Sequence, residues 1–202
     1  MRELNWRKDI KEVSDEISGG TRLPLLFFYR SSGCEGSNKT MGEVICDETV
    51  IKAVEREATA IKYDVAKENK LAERYHVDWT PTFILTDEKG NELDRWTGYL
   101  PAEDFITQLT LSKGLAAFYL RRYRDAEREF EMLIEEHPDS ELVAEAEYFL
   151  GVSIFKEKGD ALGLVDICHS IEEKYPESQW AKKCSIWSHK TMPTRKPMVN
   201  FD

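Results

Sequence analysis

One segment governs the architecture of this chain: residues 23–37, LPLLFFYRSSGCEGS. Its first part, Leu23 to Tyr29, is an almost continuous apolar run of the kind found in buried central strands. Pro24 restricts pairing only at the beginning of that strand. The loop that follows leads to Cys34 and then into a predicted helix. A strand, a short loop and a cysteine at a helix start therefore form the central unit of the prediction.

Helix and strand patterns alternate on both sides of this unit. Residues 5–18 carry apolar side chains at spacings of three and four, which predicts a helix. Residues 87–91, Asp-Glu-Lys-Gly-Asn, lie between two strand patterns and predict a hairpin turn with Gly90 at positive φ. The other predicted elements are helices over 47–56, 69–75 and 101–111, and strands over 59–65, 82–86 and 92–96.

The second half shows helical patterns only. Pro138 and Pro176 end similar segments, and their spacing is close to the ~34-residue period of tetratricopeptide repeats. The junction with the first half has no Pro- or Gly-rich linker, so we expect a rigid contact between the halves. The predicted helices cover residues 112–120, 124–137, 140–158, 160–175 and 178–190, and the tail 191–202 is expected to be mobile.

Composition excludes several classes of function. The chain has 202 residues, of which 28 are basic and 38 acidic, giving a net charge of -10. Such a chain is a poor ligand for nucleic-acid phosphates or anionic lipid, and no apolar run reaches the ~18 residues of a membrane span. The charged N-terminal segment lacks the apolar run of a signal peptide, so we expect a cytoplasmic protein. In that compartment the four cysteines are expected to be thiols.

The first half resembles the thioredoxin family. Cys34 follows the central strand, Val77-Asp-Trp-Thr-Pro81-Thr-Phe-Ile-Leu is similar to the family's cis-proline loop, and Gly98 matches its glycine before the last helix. The resemblance covers about residues 1–110 and implies a mixed central sheet flanked by helices. It also implies that Gly33, Thr80, Pro81 and Gly98 bind substrate, and that the Thr80–Pro81 bond is cis.

The redox motif departs from the family pattern. It reads Cys34-Glu-Gly-Ser37, so the nucleophile is present and serine replaces the second cysteine. Phe28 stands where the family has a buried acid. A cysteine at a helix N-terminus favours thiolate, which attacks a disulfide or sulfenic acid. Glu35 adds negative charge that opposes this. Cys34 and Ser37 are therefore the candidate catalytic residues, and an inert, purely structural Cys34 stays an alternative.

Residues 111–190 resemble tetratricopeptide repeats. Gly114, Ala126, Phe130 and Pro138 occupy the small, small, aromatic and proline positions of the first repeat, whereas the second repeat is degenerate. The resemblance implies an all-α, TPR-like helical-hairpin domain that binds a protein partner. The candidate contact residues lie in the only basic cluster of this half: Tyr119, Arg122 and Tyr123. A solvated turn is the competing interpretation of that cluster.

Cys168 and Cys184 lie on either side of Pro176 and could face each other across a helical hairpin. Close packing of two small side chains is the favoured explanation, and neither they nor the nearby histidines fit a metal-ligand spacing. No cofactor is expected. Two functions stay open: thiol–disulfide exchange on a disulfide- or sulfenate-bearing protein, and a non-enzymatic adaptor or chaperone-like scaffold. A homodimer bridged through Cys34 is a third alternative.

Overall fold

The computed structural model describes residues 3–10 and 22–188, which contain a sheet with flanking helices followed by a helical region. The four strands are β1 (Leu23–Tyr29), β2 (Ala58–Asp64), β3 (Thr82–Thr86) and β4 (Glu92–Thr97). Their order is β2-β1-β3-β4. β1 pairs parallel with β2 and antiparallel with β3, which pairs antiparallel with β4. The predicted α/β class with a mixed central sheet flanked by helices is confirmed.

Eight α-helices are described in this part of the chain. The sheet carries α1 (Glu35–Lys39), which continues into a π-helical turn (Thr40–Val44), then α2 (Glu48–Glu57) and α3 (Asn69–Arg74). The helical region comprises α4 (Ala102–Tyr119), α5 (Tyr123–Glu136), α6 (Val143–Lys158), α7 (Ala161–Lys174) and α8 (Gln179–Ser188). The second half is therefore helical, as predicted.

Aromatic rings fill one face of the sheet. Phe27 stacks on Phe83 with ring centroids 4.5 Å apart, and Phe83 stacks on Trp96 at 5.0 Å. Phe105 of α4 meets Phe83 edge-on at 4.9 Å. Because β1 lies between two paired strands and under helices on both faces, its first six residues are all buried. This explains why its apolar run is continuous rather than alternating.

The N-terminal helix prediction is wrong where the structure can test it. Arg7 makes an isolated parallel bridge to Ile61, and its backbone N–H donates to the Ala60 carbonyl at 2.9 Å. The outer edge of β2 offers unpaired backbone groups there, and pairing with them replaces the local helix. Residues 11–18 of that predicted helix and the predicted tail 191–202 lie outside the described residues.

α4 joins the sheet to the helical region as one continuous helix. The sequence predicts two helices, over 101–111 and 112–120, but α4 runs unbroken through both ranges, and Gly114 lies inside it. A Cβ atom at Gly114 would come within 2.4 Å of Cε1 of Phe130, so the glycine provides space for α5. Leu109 belongs to the sheet core, and Leu111 and Leu115 pack with Phe130. The predicted division between residues 110 and 111 falls within this helix.

Candidate functional site

Cys34 is the N-cap residue of α1. Its Sγ atom accepts a hydrogen bond from the backbone N–H of Ser37 at 3.4 Å. The Thr80 hydroxyl also donates to Sγ, at 3.3 Å, and the thiol itself donates to the Thr80 carbonyl at 3.2 Å. The loop before β3 therefore lies against the cysteine, although it is far away in sequence.

These donors favour the thiolate. Partial burial by itself would raise the pKa of Cys34, because it removes water from the charged form. Hydrogen bonds from the side chains of Ser37 and Thr80 and from the backbone N–H groups of Ser37 and Gly36 outweigh it, and the pKa lies below the ordinary value of a thiol. The side chain is only partly buried, so the sulfur stays accessible to a reaction partner.

Ser37 is almost fully enclosed. Its residue exposure is 1%, and its hydroxyl accepts a hydrogen bond from the backbone N–H of Arg30 at 3.2 Å. It lies next to the sulfur as a donor rather than at the surface. Phe28, the residue in place of the family's acid, is buried against Tyr63 and Tyr75 with ring centroids 5.4 and 5.7 Å away. That strand position supplies no acid to Cys34.

The Thr80–Pro81 peptide bond is cis, as predicted. The Pro81 carbonyl accepts a hydrogen bond from the Gly98 N–H at 2.8 Å, which ties the loop to the end of β4. A Cβ atom at Gly36 would lie 3.0 Å from Cδ of Pro81, so a glycine in the first turn of α1 permits this close approach. Gly36 is not among the residues predicted for the site, although a glycine inside a short helix is a detectable signal.

Cys34 opens into a groove of about 550 Å³ between the loop after β1 and the loops around β3 and β4. Gly33 and Gly98, both at positive φ, line it, as do Thr80 and Pro81. The predicted nucleophile and all four predicted substrate-binding residues therefore meet at one groove, with Ser37 buried directly behind. Arg30, Glu35, Val65, Val77, Asp78, Trp79 and Tyr99 complete the lining with Gly36.

Trp79 is the largest exposed apolar side chain in the groove, with 72% of its surface accessible. In the sequence, Trp79 is visible only as part of the cis-proline loop pattern over residues 77–85. The sequence feature that could have identified it is a large aromatic residue directly before Thr-Pro in a predicted loop, where the side chain is not needed to fill the hydrophobic core.

Tyr119, Arg122 and Tyr123 come together at the turn between α4 and α5 and do not line the Cys34 groove. Tyr119 is 54% exposed. Arg122 pairs with Asp125 at 3.7 Å, and the Tyr123 ring meets Phe118 edge-on at 5.7 Å. The turn thus presents an exposed tyrosine beside a partly neutralised arginine.

The other three cysteines are free thiols away from this groove. Cys46 is partly buried, and its thiol donates to the Gly42 carbonyl at 2.7 Å. Cys168 and Cys184 are fully buried in the α7–α8 core. Burial raises the pKa of both thiols, and a hydrogen bond links them to each other. They face one another across the hairpin and act as small core residues.

Within residues 3–10 and 22–188, no cluster of three or more histidine, cysteine or acidic side chains is arranged to hold a metal ion. No helix in that part of the chain is long and apolar enough to cross a lipid bilayer.

Comparison with known proteins gives one family match. A family model described as a thioredoxin-like domain matches residues 11–112. Among solved structures, an oxidoreductase named DsbH is 16% identical with a TM-score of 0.48, covering 55% of this chain and 85% of its own. A thioredoxin from Thermus thermophilus is 24% identical with a TM-score of 0.46, covering 54% and 85%. A thioredoxin from Fasciola hepatica is 24% identical with a TM-score of 0.40, covering 55% and 97%. No curated protein sequence matches.

Proposed function

The chain belongs to the thioredoxin-like domain family, and from this premise we propose that it performs thiol–disulfide exchange through one nucleophile, Cys34. The observation that carries the proposal is the set of hydrogen bonds that lowers the pKa of this thiol in an open groove. A larger thiolate fraction at neutral pH increases attack on sulfur. Thr80, Pro81, Gly33 and Gly98 are proposed to form the platform for the substrate.

The proposed reaction has two steps. The Cys34 thiolate attacks one sulfur of a protein disulfide, a new S–S bond forms, the old one breaks, and the departing sulfur leaves as a thiolate that takes up a proton. Ser37 cannot complete the cycle, because a buried hydroxyl is too weak an acid to attack sulfur. A second thiol, either a small one or one from another protein, attacks the substrate sulfur of the mixed disulfide; a new disulfide forms between that thiol and the substrate, the bond to Cys34 breaks, and Cys34 leaves as the free thiolate. A sulfenic acid reacts similarly, with water as the leaving group.

We propose the cytoplasm as the compartment, because its pool of small thiols can supply the second step. Membrane and nucleic acid have no part in the proposed function. No cofactor is required, since exchange between sulfur atoms needs no other electron carrier.

We also propose that residues 111–190 form a TPR-like domain that binds a protein, beside a thioredoxin-like domain over 1–110. Support comes from two close helix contacts at glycines. Gly114 faces Phe130, and a Cβ atom at Gly151 would lie 3.1 Å from both Leu164 and Ile167. Small residues at matching positions of successive hairpins are typical of such repeats. The exposed Tyr119 and its neighbours Arg122 and Tyr123 are the proposed contact residues.

The alternative is an adaptor that binds proteins without chemistry. Two exposed aromatic residues, Trp79 in the groove and Tyr119 at the turn after α4, favour it. It predicts that Cys34 is no more reactive than another partly buried thiol. Cys46 provides that comparison within the same chain.

The test is whether a peptide that carries an activated disulfide forms a mixed disulfide with the protein. The adduct is detected as an increase in the mass of the intact protein, measured by mass spectrometry. We expect the adduct on Cys34, its loss in Cys34→Ser, and its retention in the matched control Cys46→Ser. Equal labelling rates for Cys34 and Cys46 would exclude the exchange function and leave the adaptor.

A second measurement tests the missing resolving thiol. Reduction of insulin by thioredoxin reductase through this protein is expected to be slow without added small thiol. Ser37→Cys should increase it, because a second thiol then lies beside the first. Rapid, Cys34-dependent turnover by the unaltered chain would contradict the role assigned to Ser37.

A further inference from the structure

Trp79 in the groove is solvent-exposed, although an indole is costly to leave in water. Its backbone is fixed: the Trp79 carbonyl accepts a hydrogen bond from the Thr82 hydroxyl at 2.9 Å, and Thr82 also bonds Thr97 across the sheet at 3.0 Å. The exposed ring is therefore presented on a rigid support.

Trp79 is one residue from the atom that touches the sulfur. The Thr80 carbonyl lies 3.2 Å from Sγ of Cys34, and Trp79 directly precedes it in the same wall of the groove. A substrate whose sulfur reaches Cys34 must place the neighbouring residue of its own chain close to the indole. The exposed indole of Trp79 therefore lies in the groove wall next to the residue that contacts the sulfur.

The charges beside this position are acidic. Asp78 precedes Trp79 and Glu35 follows Cys34, and both carboxylates are exposed in the groove lining. Among the described residues that line the groove, Arg30 is the one basic residue; it is also exposed and lies on the loop after β1. Two other charged residues nearby, Lys39 and Glu43, each contact Tyr99. Lys39 Nζ lies 4.5 Å from the centroid of the Tyr99 ring, and the Tyr99 hydroxyl donates a hydrogen bond to the Glu43 carboxylate at 2.9 Å.

We propose that the groove selects disulfide-bearing protein segments with an arginine or lysine adjacent to the reacting cysteine. Such a cation lies over the indole of Trp79 in a cation–π contact and pairs with Asp78 or Glu35. An apolar residue could cover the ring but would leave both carboxylates without a partner. The net charge of -10 attracts the same basic class of partner at long range. This inference rests on the proposed exchange at Cys34 and names its substrate class.

The experiment measures the second-order rate of mixed-disulfide formation with three capped pentapeptides. Each has a central cysteine as a thiopyridyl disulfide, flanked on both sides by arginine, leucine or glutamate. Rates are divided by those with mercaptoethanol, to remove intrinsic differences between the peptides. They are taken at a pH where Cys34 is fully ionised, so that altered thiol pKa values do not enter.

We expect the arginine peptide to react about three- to tenfold faster than the leucine peptide, and the glutamate peptide to be slowest. Added salt should reduce the advantage, since exposed charges are screened. Trp79→Leu, which keeps an apolar side chain without the aromatic face, should remove most of it, and Trp79→Phe should keep part. Glu35→Gln with Asp78→Asn should reduce the salt dependence more than the loss of two charges elsewhere on the surface does.

The matched control is Asp139→Asn with Glu173→Gln, which changes the net charge equally at exposed positions outside the groove. This control should leave the arginine preference intact. Equal rates for the three peptides, a leucine or glutamate preference, or an arginine preference that survives Trp79→Leu would overturn the proposal while the exchange function stands. Failure of every peptide to form an adduct on Cys34 would overturn the exchange function itself.

Discussion

Lys113 of α4 holds together the two halves of the molecule, and replacing it should destabilise the chain markedly. Its Nζ atom pairs with Glu57 at the end of α2 and lies 2.8 Å from Glu129 of α5. The side chain of Lys113 is 14% exposed, and those of Glu57 and Glu129 are 18% and 7% exposed. Lys113→Met therefore leaves two poorly solvated carboxylates without their shared cation.

Removing one partner of a buried ion pair costs about 3–5 kcal/mol. Here Arg56 and Arg128 still reach Glu57 and Glu129, but both are about two-thirds exposed and such pairs contribute less than about 1 kcal/mol each. The expected loss is therefore about 2–4 kcal/mol at neutral pH. With a urea dependence of about 2 kcal/mol per molar, the unfolding midpoint should fall by about 1–2 M.

The pH dependence gives a second readout. Burial alone would raise the pKa of Glu57, but hydrogen bonds from Lys113 and Arg56 outweigh it and the pKa is lowered. A carboxyl with a lowered folded-state pKa stabilises the fold above its unfolded pKa and loses that contribution as pH falls through the folded pKa. The difference between the unaltered chain and Lys113→Met should therefore shrink in acid.

The control is Lys52→Met, which breaks an exposed pair with Glu48 and should cost less than about 1 kcal/mol. Adding Glu57→Gln and Glu129→Gln to Lys113→Met should recover part of the stability, because neutral amides need no cation. If urea unfolding gives the same midpoint for Lys113→Met and Lys52→Met, the ion pairs do not stabilise the junction and the reasoning is wrong.

Three further predictions address the sulfur atoms and the helix packing. Thr80→Val removes a hydroxyl donor to the sulfur and should raise the pKa of Cys34, moving the pH profile of alkylation upward; an unchanged profile would contradict that role. Gly114→Ala forces a Cβ atom onto the Phe130 ring and should lower the free energy of unfolding by about 1–3 kcal/mol, whereas Gly42→Ala, with no atom near the new Cβ, provides the control. Cys168 and Cys184 should resist alkylation in the folded chain at neutral pH and react only in denaturant, because burial raises the pKa of both; native-state labelling by mass spectrometry would refute this.

The sheet could be predicted closely because its signals are local. β1 begins and ends at the predicted residues, and Gly90 has the expected positive φ of 77° in the hairpin turn. A continuous apolar run indicates a buried strand, and a glycine in a short turn indicates a backbone with positive φ. The Arg7 bridge carries no such signal, since it depends on an open strand edge many residues away.

The glycines were harder to interpret from sequence. Gly114 has the same local signature as a helix end, and only the position of Phe130 reveals it as a packing contact inside α4. Gly36 is similar, because the neighbour that requires it, Pro81, belongs to another part of the chain. A residue chosen for the space it leaves can be recognised only once its neighbours are known.

Only part of the site could be predicted from the sequence, again because some of its contacts join residues that are distant in the chain. The family resemblance predicted that Cys34 and Pro81 lie close together. A shared fold implies contacts between residues far apart in sequence, which the spacing of residues along the chain does not. The resemblance did not identify Trp79, Asp78 and Glu35 as one set, because they lie in two separate motifs and only the folded groove brings them together. The ion pairs of Lys113 link positions 57, 113 and 129, and no periodic pattern connects these.

The continuity of α4 has a consequence for how this chain can tolerate insertions and deletions. Each residue of an α-helix turns the chain by ~100° and advances it by 1.5 Å. Phe105 and Leu109 point into the sheet core, whereas Leu111 and Leu115 point into the helical region. Inserting a single residue between Leu109 and Leu111 would rotate everything after it by about a quarter turn, so the faces could no longer meet both neighbours. Insertions and deletions should therefore be tolerated in the turns on either side of α4 but should destabilise the fold within it. An engineered insertion inside α4 would have to add whole helical turns to keep both packing faces in register.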